Sequence, residues 1–305
     1  MNIKRKKVTK KAIPVQSKFS PEQETILKTL AYSQVFDFPL TVEELYTRQM
    51  RSPLHETISL LKIKQLVKAS LVVVVTTDSL IAFKQKNKTI ELRKQRLRWS
   101  KEKWSEIDEI KKILRFVPFI QEAYITGALA VNNLSSLNDD IDLLIISKKN
   151  RLWITRSVAV LFAILKGKYR FHHSKKQTGW CFNLWLDEAH LELPEERRSL
   201  YSAYEVIQSK QFIGNKNMLL RANAWVKDFL PSMTPSLQYT PIQDSSSGIM
   251  TIFNQVLYFF QWQIMKKRHT IEKVGIGYAF FHPRNTQRNV MTEYRKLLQE
   301  LGIQE

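Results

Sequence analysis

Apolar positions recur at helical spacing through the first part of the chain and then change period. Ser20-Pro21-Glu22-Gln23 has the form of a capping box, with serine as N-cap, proline at the first helical position and glutamine at the third, so a helix starts there. Thr41-Val42-Glu43-Glu44 repeats that logic, and Ser52-Pro53 announces a third helix whose apolar residues include Leu54, Ile58, Leu61 and Leu66. The run LVVVV, the turn residues Thr76-Thr77-Asp78-Ser79 and the run LIAF then predict a β-hairpin. Three helices and a hairpin wing predict a winged-helix module over residues 19–85. Its third helix exposes Lys62, Lys64, Gln65 and Lys68, residue types that suit a DNA major groove.

From Lys86 to Phe116 there are few breakers, and Ile90, Leu92, Leu97, Trp99, Trp104, Ile107 and Ile110 predict one long or two consecutive helices over 86–117. Beyond Glu122 the pattern becomes strand (AYIT), short helix (ALAVNN), loop (SSLND), strand (DIDLLII), a long apolar helix from about Arg151 to Leu165, a basic loop and a further strand (CFNLWLD). This predicts an α+β core with a small sheet over 118–194. Pro194-Glu195-Glu196 opens a region over 195–305 that reads as helical, with a Ser, Thr and Pro-rich linker at 231–247. Its most apolar stretch, 248–265, is interrupted by Asn254, Gln255, Gln261 and Gln263, which predicts a buried or interfacial helix and no stable membrane insertion.

Charge adds a preference for anions. The 305 residues carry 48 Lys and Arg against 28 Asp and Glu, a net charge of +20. Such an excess favours nucleic acid, nucleotide phosphates or anionic lipid, or else reflects a lysine-rich proteome. The basic residues are densest in the tail, 1–18, which has no acid and no apolar face and is expected to be disordered, and near Lys84 to Lys103, where Arg and Lys interleave with Trp99 and Trp104. A single cysteine, Cys181, excludes an internal disulfide framework and fits a reducing, cytoplasmic setting. His172 and His173 are adjacent and in a strand point to opposite faces, so a zinc site is not expected there.

The chemistry concentrates in TGALAVNNLSSLNDDIDLLII. In a strand, Asp140 and Asp142 lie on one face while Ile141 and Leu143 pack on the other. Carboxylates this close repel, and an oxygen-seeking divalent cation, magnesium or manganese, relieves the repulsion. Phosphoryl and nucleotidyl transfer use such a pair, because the charge growing on phosphate oxygens must be neutralised in place. No phosphate-binding Gly-rich loop of the Walker kind and no dinucleotide fingerprint occurs.

Gly127-Ala128, eleven residues and then Asp140-Ile141-Asp142 resembles the signature of the DNA polymerase β-like nucleotidyltransferase superfamily. The segments LAYSQVFDFPLTVEEL, RLWITR, NLWLDE and LYSAYEVIQ look like a bacterial group within it, in which a winged-helix-like segment precedes the transferase fold. The resemblance implies a polymerase β-like nucleotidyltransferase fold, with Asp140 and Asp142 holding magnesium or manganese, a nucleoside triphosphate as donor and a hydroxyl as acceptor. It implies phosphate contacts at the turn of Thr126, Gly127 and Ala128, with Ser135, Ser136 or Thr126 supplying the hydroxyl that the family takes from a serine at the position of Ala128. Arg151 and its basic neighbours are further phosphate candidates.

The family also carries a third carboxylate in mid-strand as base, where this chain has Asn183. Asp187, about 13 Å further along by strand rise, is the candidate substitute. Either it serves, the acceptor needs no base, or the fold senses nucleotide without turnover and binds DNA through the winged helix and basic tail.

Overall fold

Both N-terminal capping boxes form. Ser20 accepts from the Gln23 N–H and the Gln23 side chain accepts from the Ser20 N–H, opening α1 at Pro21–Gln34. Thr41 and Glu44 make the same reciprocal pair where β1, Leu40–Thr41, passes into α2, Val42–Thr47. The computed structural model describes residues 18–52, 54, 57–69, 74–77, 79–86, 88–170, 178–233, 248–266, 273–281 and 286–305. The basic tail through Ser17, Pro53, the His172-His173 pair and 234–247 of the expected linker lie outside the described residues.

The third helix, α3, spans Leu60–Ala69 and starts later than Ser52-Pro53 suggests. Ser59 accepts from the Lys62 N–H at its start. Before it, the buried Gln49 amide pins the chain by accepting from the Ile58 N–H and donating to the Ile58 carbonyl. The hairpin of β2, Val74–Thr77, and β3, Leu80–Phe83, is tighter than predicted, since Thr76 and Thr77 belong to the strand and Thr77 lies opposite Leu80. β1 pairs with the other edge of β3, giving an antiparallel sheet of order β1-β3-β2.

The 86–117 stretch forms two consecutive helices, α4 (Thr89–Trp104) and α5 (Ile107–Leu114). Several of its cations hold the N-terminal part in place. Arg93 pairs with Glu44 at 2.7 Å and lies over the Phe38 ring, and Arg96 donates to the Phe36 carbonyl and to Asn133. Trp99 and Trp104 pack against the core beneath the following sheet, and Trp104 donates to Asn132.

β4 (Ile120–Ile125), α6 (Gly127–Ala130), β5 (Ile141–Ser147), α7 (Leu152–Leu165) and β6 (Trp180–Asp187) follow in the predicted order. β5 is antiparallel to β4 and parallel to β6, the arrangement a crossover helix such as α7 permits. The region from 195 onward corrects the sequence reading. Besides helices it supplies three short strands, in the order α8 (Leu200–Gln208), β7 (Lys210–Ile213), α9 (Met218–Ala222), α10 (Gly248–Met265), β8 (Lys273–Val274), β9 (Tyr278–Phe280) and α11 (Thr286–Leu301). The sheet therefore has six strands, β7-β4-β5-β6-β9-β8. Strands of two to four residues are too short for an alternation of period two to stand out.

An apolar core lies on each face of this sheet. Ile141, Leu143 and Ile145 of β5 join α5 and α7 on one side; Leu144 and Ile146 join α8 and α11 on the other. The latter core continues into Ile26, Leu27 and Leu30 of α1 and Ile63 of α3. The N-terminal module and the C-terminal helices, expected as separate units, thus share one interior, and Tyr32 stacks on Tyr204 across it with ring centroids 4.2 Å apart.

α10 binds α7 through polar groups. Asn254 is fully buried, and its Oδ1 accepts from the Trp153 and Ile154 N–H groups at the start of α7, where Arg151 provides no side-chain cap. Gln261 donates to the Trp153 carbonyl and to Ser157. Asn254→Ala leaves two buried N–H groups unpaired and is expected to lower stability by about 2 kcal/mol, read by urea denaturation. Among the described residues, no helix is long and apolar enough to cross a membrane.

Candidate functional site

The alternation of β5 sets the site. Asp142 shares its face with Leu144 and Ile146, and Asp140, two residues earlier, precedes it at the mouth of the strand. In the parallel register Cys181 of β6 lies beside Asp142, and ligand atoms of Asp140, Asp142 and Cys181 fall within 4.8 Å of one another. Gly127 faces the pair across the β4–α6 turn. Its φ is +63°, and a Cβ at this position would fall on the Asp142 carboxylate, inside van der Waals contact. The Thr126 N–H donates to the Asp142 carbonyl at 2.9 Å and ties the turn to the strand. Gly127→Ala combines a left-handed backbone with that collision and is expected to destabilise the fold by roughly 2–4 kcal/mol, measured as a fall in Tm.

Two side chains offset the repulsion between the carboxylates. The Arg170 guanidinium pairs with Asp140, and the Asn183 amide donates to Asp142 Oδ1. The Cys181 thiol donates to the Asn183 Oδ1 at 2.8 Å, fixing which way the amide points. Burial, and then the charge of Glu205, pushes the Asp142 carboxyl up to about 7 against the hydrogen bond from Asn183. Burial, and then Asp142, pushes the Cys181 thiol up to about 12 despite Arg170. Two carboxylates supply oxygen donors here, and carboxylate oxygen suits magnesium or manganese.

Glu205 of α8 is the site residue that the sequence reading missed. It lines the same cavity of about 320 Å³ as Asp142, Gly127, Ala128 and Asn183, and burial pushes its carboxyl up to about 7. The N-terminal module contributes Tyr32, Phe36, Phe38 and Arg48 to this cavity. A second cavity of about 460 Å³ has walls of Leu144, Leu184, Leu186 and Phe280, and shares Thr126, Tyr201, Glu205 and Thr286 with the first. Burial, then the charges of Glu205 and Asp142, raises the Tyr201 phenol well above its usual range, so it stands between the cavities as a proton-bearing donor. By helical spacing Glu205 falls opposite the buried Ala203 and Ile207 of its own helix, which marks it as a solvent-side residue. Only the neighbouring segments enclose it.

No family model, curated protein or solved structure matches this chain.

The structure does not bring Asp187 to the aspartate pair. The β5–β6 register shifts between Asp142 and Leu144, so Asn183 and Leu184 break the alternation, and beyond this bulge Leu184 and Leu186 face one core while Trp185 faces the other. Period two carried through the bulge would put Asp187 on the face of Asn183; the bulge moves it to the opposite one. Asp187 is fully buried at the far end of β6, where it accepts from the Asn150 and Ala189 N–H groups and meets His190 Nδ1 at 2.7 Å.

Arg151 also belongs to that far end, donating to the Asn150 carbonyl and to Thr251. Ser135 bonds the Asp139 carboxylate through its hydroxyl and N–H, and the Ser136 hydroxyl accepts from the Asn138 N–H, so both serve the loop before β5. Of the expected nucleotide contacts, Thr126, Gly127 and Ala128 line the cavity beside Asp142.

Proposed function

We propose that this chain is a polymerase β-like nucleotidyltransferase with an N-terminal winged-helix module, moving a nucleoside monophosphate from a nucleoside triphosphate to a hydroxyl. The observation that carries the reading is the close approach of Gly127 to Asp142, beside Asp140, at the edge of an aromatic-lined cavity. The order α1-β1-α2-α3-β2-β3, with β1 paired to β3, supports the winged helix, and the strand-helix-strand setting of Asp140 and Asp142 supports the transferase core.

Asp140 and Asp142 would hold magnesium or manganese, whose charge would neutralise the triphosphate and the departing pyrophosphate. The chain supplies the rest. The Thr126-Gly127-Ala128 turn admits phosphates close to the backbone, Arg48 adds a cation, and the exposed Phe36 offers a ring to a base. Glu205, placed where the two cavities meet, takes the proton of the acceptor hydroxyl as its oxygen bonds the α-phosphorus and the bond to pyrophosphate breaks. A carboxyl at about 7 is well matched to that task at neutral pH, and it stands in for the acid that β6 lacks at Asn183. The apolar second cavity would then seat the acceptor.

Incubation with α-phosphate-labelled nucleotides and magnesium, alone and with cell extract, is expected to transfer label to an acceptor. Binding of nucleotide with no transfer would favour a nucleotide-sensing regulator. That second reading draws on α3, which turns Lys62, Lys64, Gln65 and Lys68 to solvent, and predicts steeply salt-dependent binding to duplex DNA.

A further inference from the structure

α10 presents its apolar side to solvent. Ile249, Ile252, Phe253, Val256, Phe260 and Ile264 share one side of the helix at three- and four-residue spacing, with Ile249 83%, Phe260 60% and Ile264 70% exposed. A surface helix ordinarily buries such a stripe, yet here α10 turns a different side inward, where Leu257, Tyr258 and Met265 pack on the core and Asn254 and Gln261 bond α7. Those hydrogen bonds fix the helix rotation, so the stripe has no freedom to turn inward. α7 extends the patch with exposed Leu161, Ile164 and Leu165. The two helices run in the same sense, Arg151 meeting Thr251 and Ser157 meeting Gln261, which brings their C-terminal ends to the same side.

Charge selects the occupant. Neither α7 nor α10 carries an acid, and Lys266, Lys267 and Arg268 follow α10 in sequence. Lys166 and Lys266 are exposed at the two helix ends, and the Lys266 ammonium sits 5.1 Å from the Trp262 ring centroid. A second copy of a +20 chain would bring the same cationic rim against itself. An anionic bilayer offers apolar depth for the stripe and phosphate headgroups for the rim.

We propose that the face formed by α10 and the end of α7 docks on an anionic lipid bilayer, with α10 lying in the plane of the interface. The association is peripheral, in keeping with the lack of any membrane-crossing helix among the described residues. It is independent of the transferase reading, because none of its residues lines the two cavities beside Asp142.

The test is co-sedimentation of the full chain with vesicles of phosphatidylcholine alone or mixed with phosphatidylglycerol. Binding to the mixed vesicles, weak binding to the neutral ones, loss with rising salt and a blue shift of tryptophan emission are expected. Phe253→Ser with Phe260→Ser should reduce partitioning by at least roughly tenfold, and Lys266→Gln by roughly fivefold, with unchanged circular dichroism. Because these side chains are exposed, the variants should fold; a matching Tm checks it. Equal failure to bind both vesicle types overturns the proposal, as does binding that survives the double variant but vanishes when residues 1–17 are removed. A dimer in solution that the double variant splits, without vesicle binding, assigns the stripe to a second copy and likewise overturns it.

Discussion

Asp142→Asn is expected to lower nucleotide transfer by roughly 10³-fold while making the metal-free protein more stable at about pH 8. The two effects have opposite signs because the same carboxylate that would serve the cation is costly to ionise without one. Its carboxyl is raised from the ordinary 3.8 to about 7, so the folded state holds the proton more tightly than the unfolded state. Stability from this group is complete below the unfolded value, falls as pH rises from about 4 to about 7, and stays low above that. One pKa unit corresponds to about 1.4 kcal/mol, so even half of this rise is worth on the order of 2 kcal/mol at alkaline pH. Asparagine removes that penalty. Thermal denaturation across pH, with and without magnesium, reads both arms: wild type should gain Tm from magnesium and the variant should not. A variant that loses Tm at about pH 8 without metal would contradict the assigned electrostatics.

Glu205→Gln is expected to lower kcat by about 10²- to 10³-fold with little change in nucleotide affinity. In the magnesium-saturated wild type the rate should rise with pH through about 7, as Glu205 loses its proton; the variant should lack that rise. Glu205→Asp, which keeps the carboxyl but shortens its reach, should recover part of the rate and the limb. Removing the Glu205 charge also removes the second cause of the raised Asp142 carboxyl, so magnesium should stabilise the variant at lower pH than it stabilises wild type. An unchanged kcat and pH profile would leave Glu205 a role in enclosing the cavity and none in proton transfer.

Local signals were legible where the physics is local. A capping box is satisfied within four residues, so Ser20 and Thr41 marked their helix starts, whereas α3 begins only at Leu60, after the Ile58 backbone that the distant Gln49 amide holds. Strand alternation over a regular stretch put Asp140 and Asp142 on one face, and Gly127 declared its turn. The same alternation misled at β6, where a bulge at Asn183 reversed the face of Asp187. The strands β7, β8 and β9 left no readable trace, because two to four residues are too few for alternation to stand out, and β7 and β9 also pair with β4 and β6, distant in sequence.

The sequence by itself determined the aspartate pair, the glycine before it, the basic balance and the apolar content of α10. Tertiary structure decided what each of these faces. It brought Glu205 from the nominal solvent side of α8 to the cavity of Asp142, and carried Arg48 and Phe38 from the N-terminal module to the same cavity. It also left an apolar stripe of α10 outward, the inward positions being taken by Asn254, Leu257, Tyr258 and Gln261. Side-chain periodicity fixes which residues share a face of one element, but the environment of that face depends on the element packed against it, and such contacts span long stretches of chain.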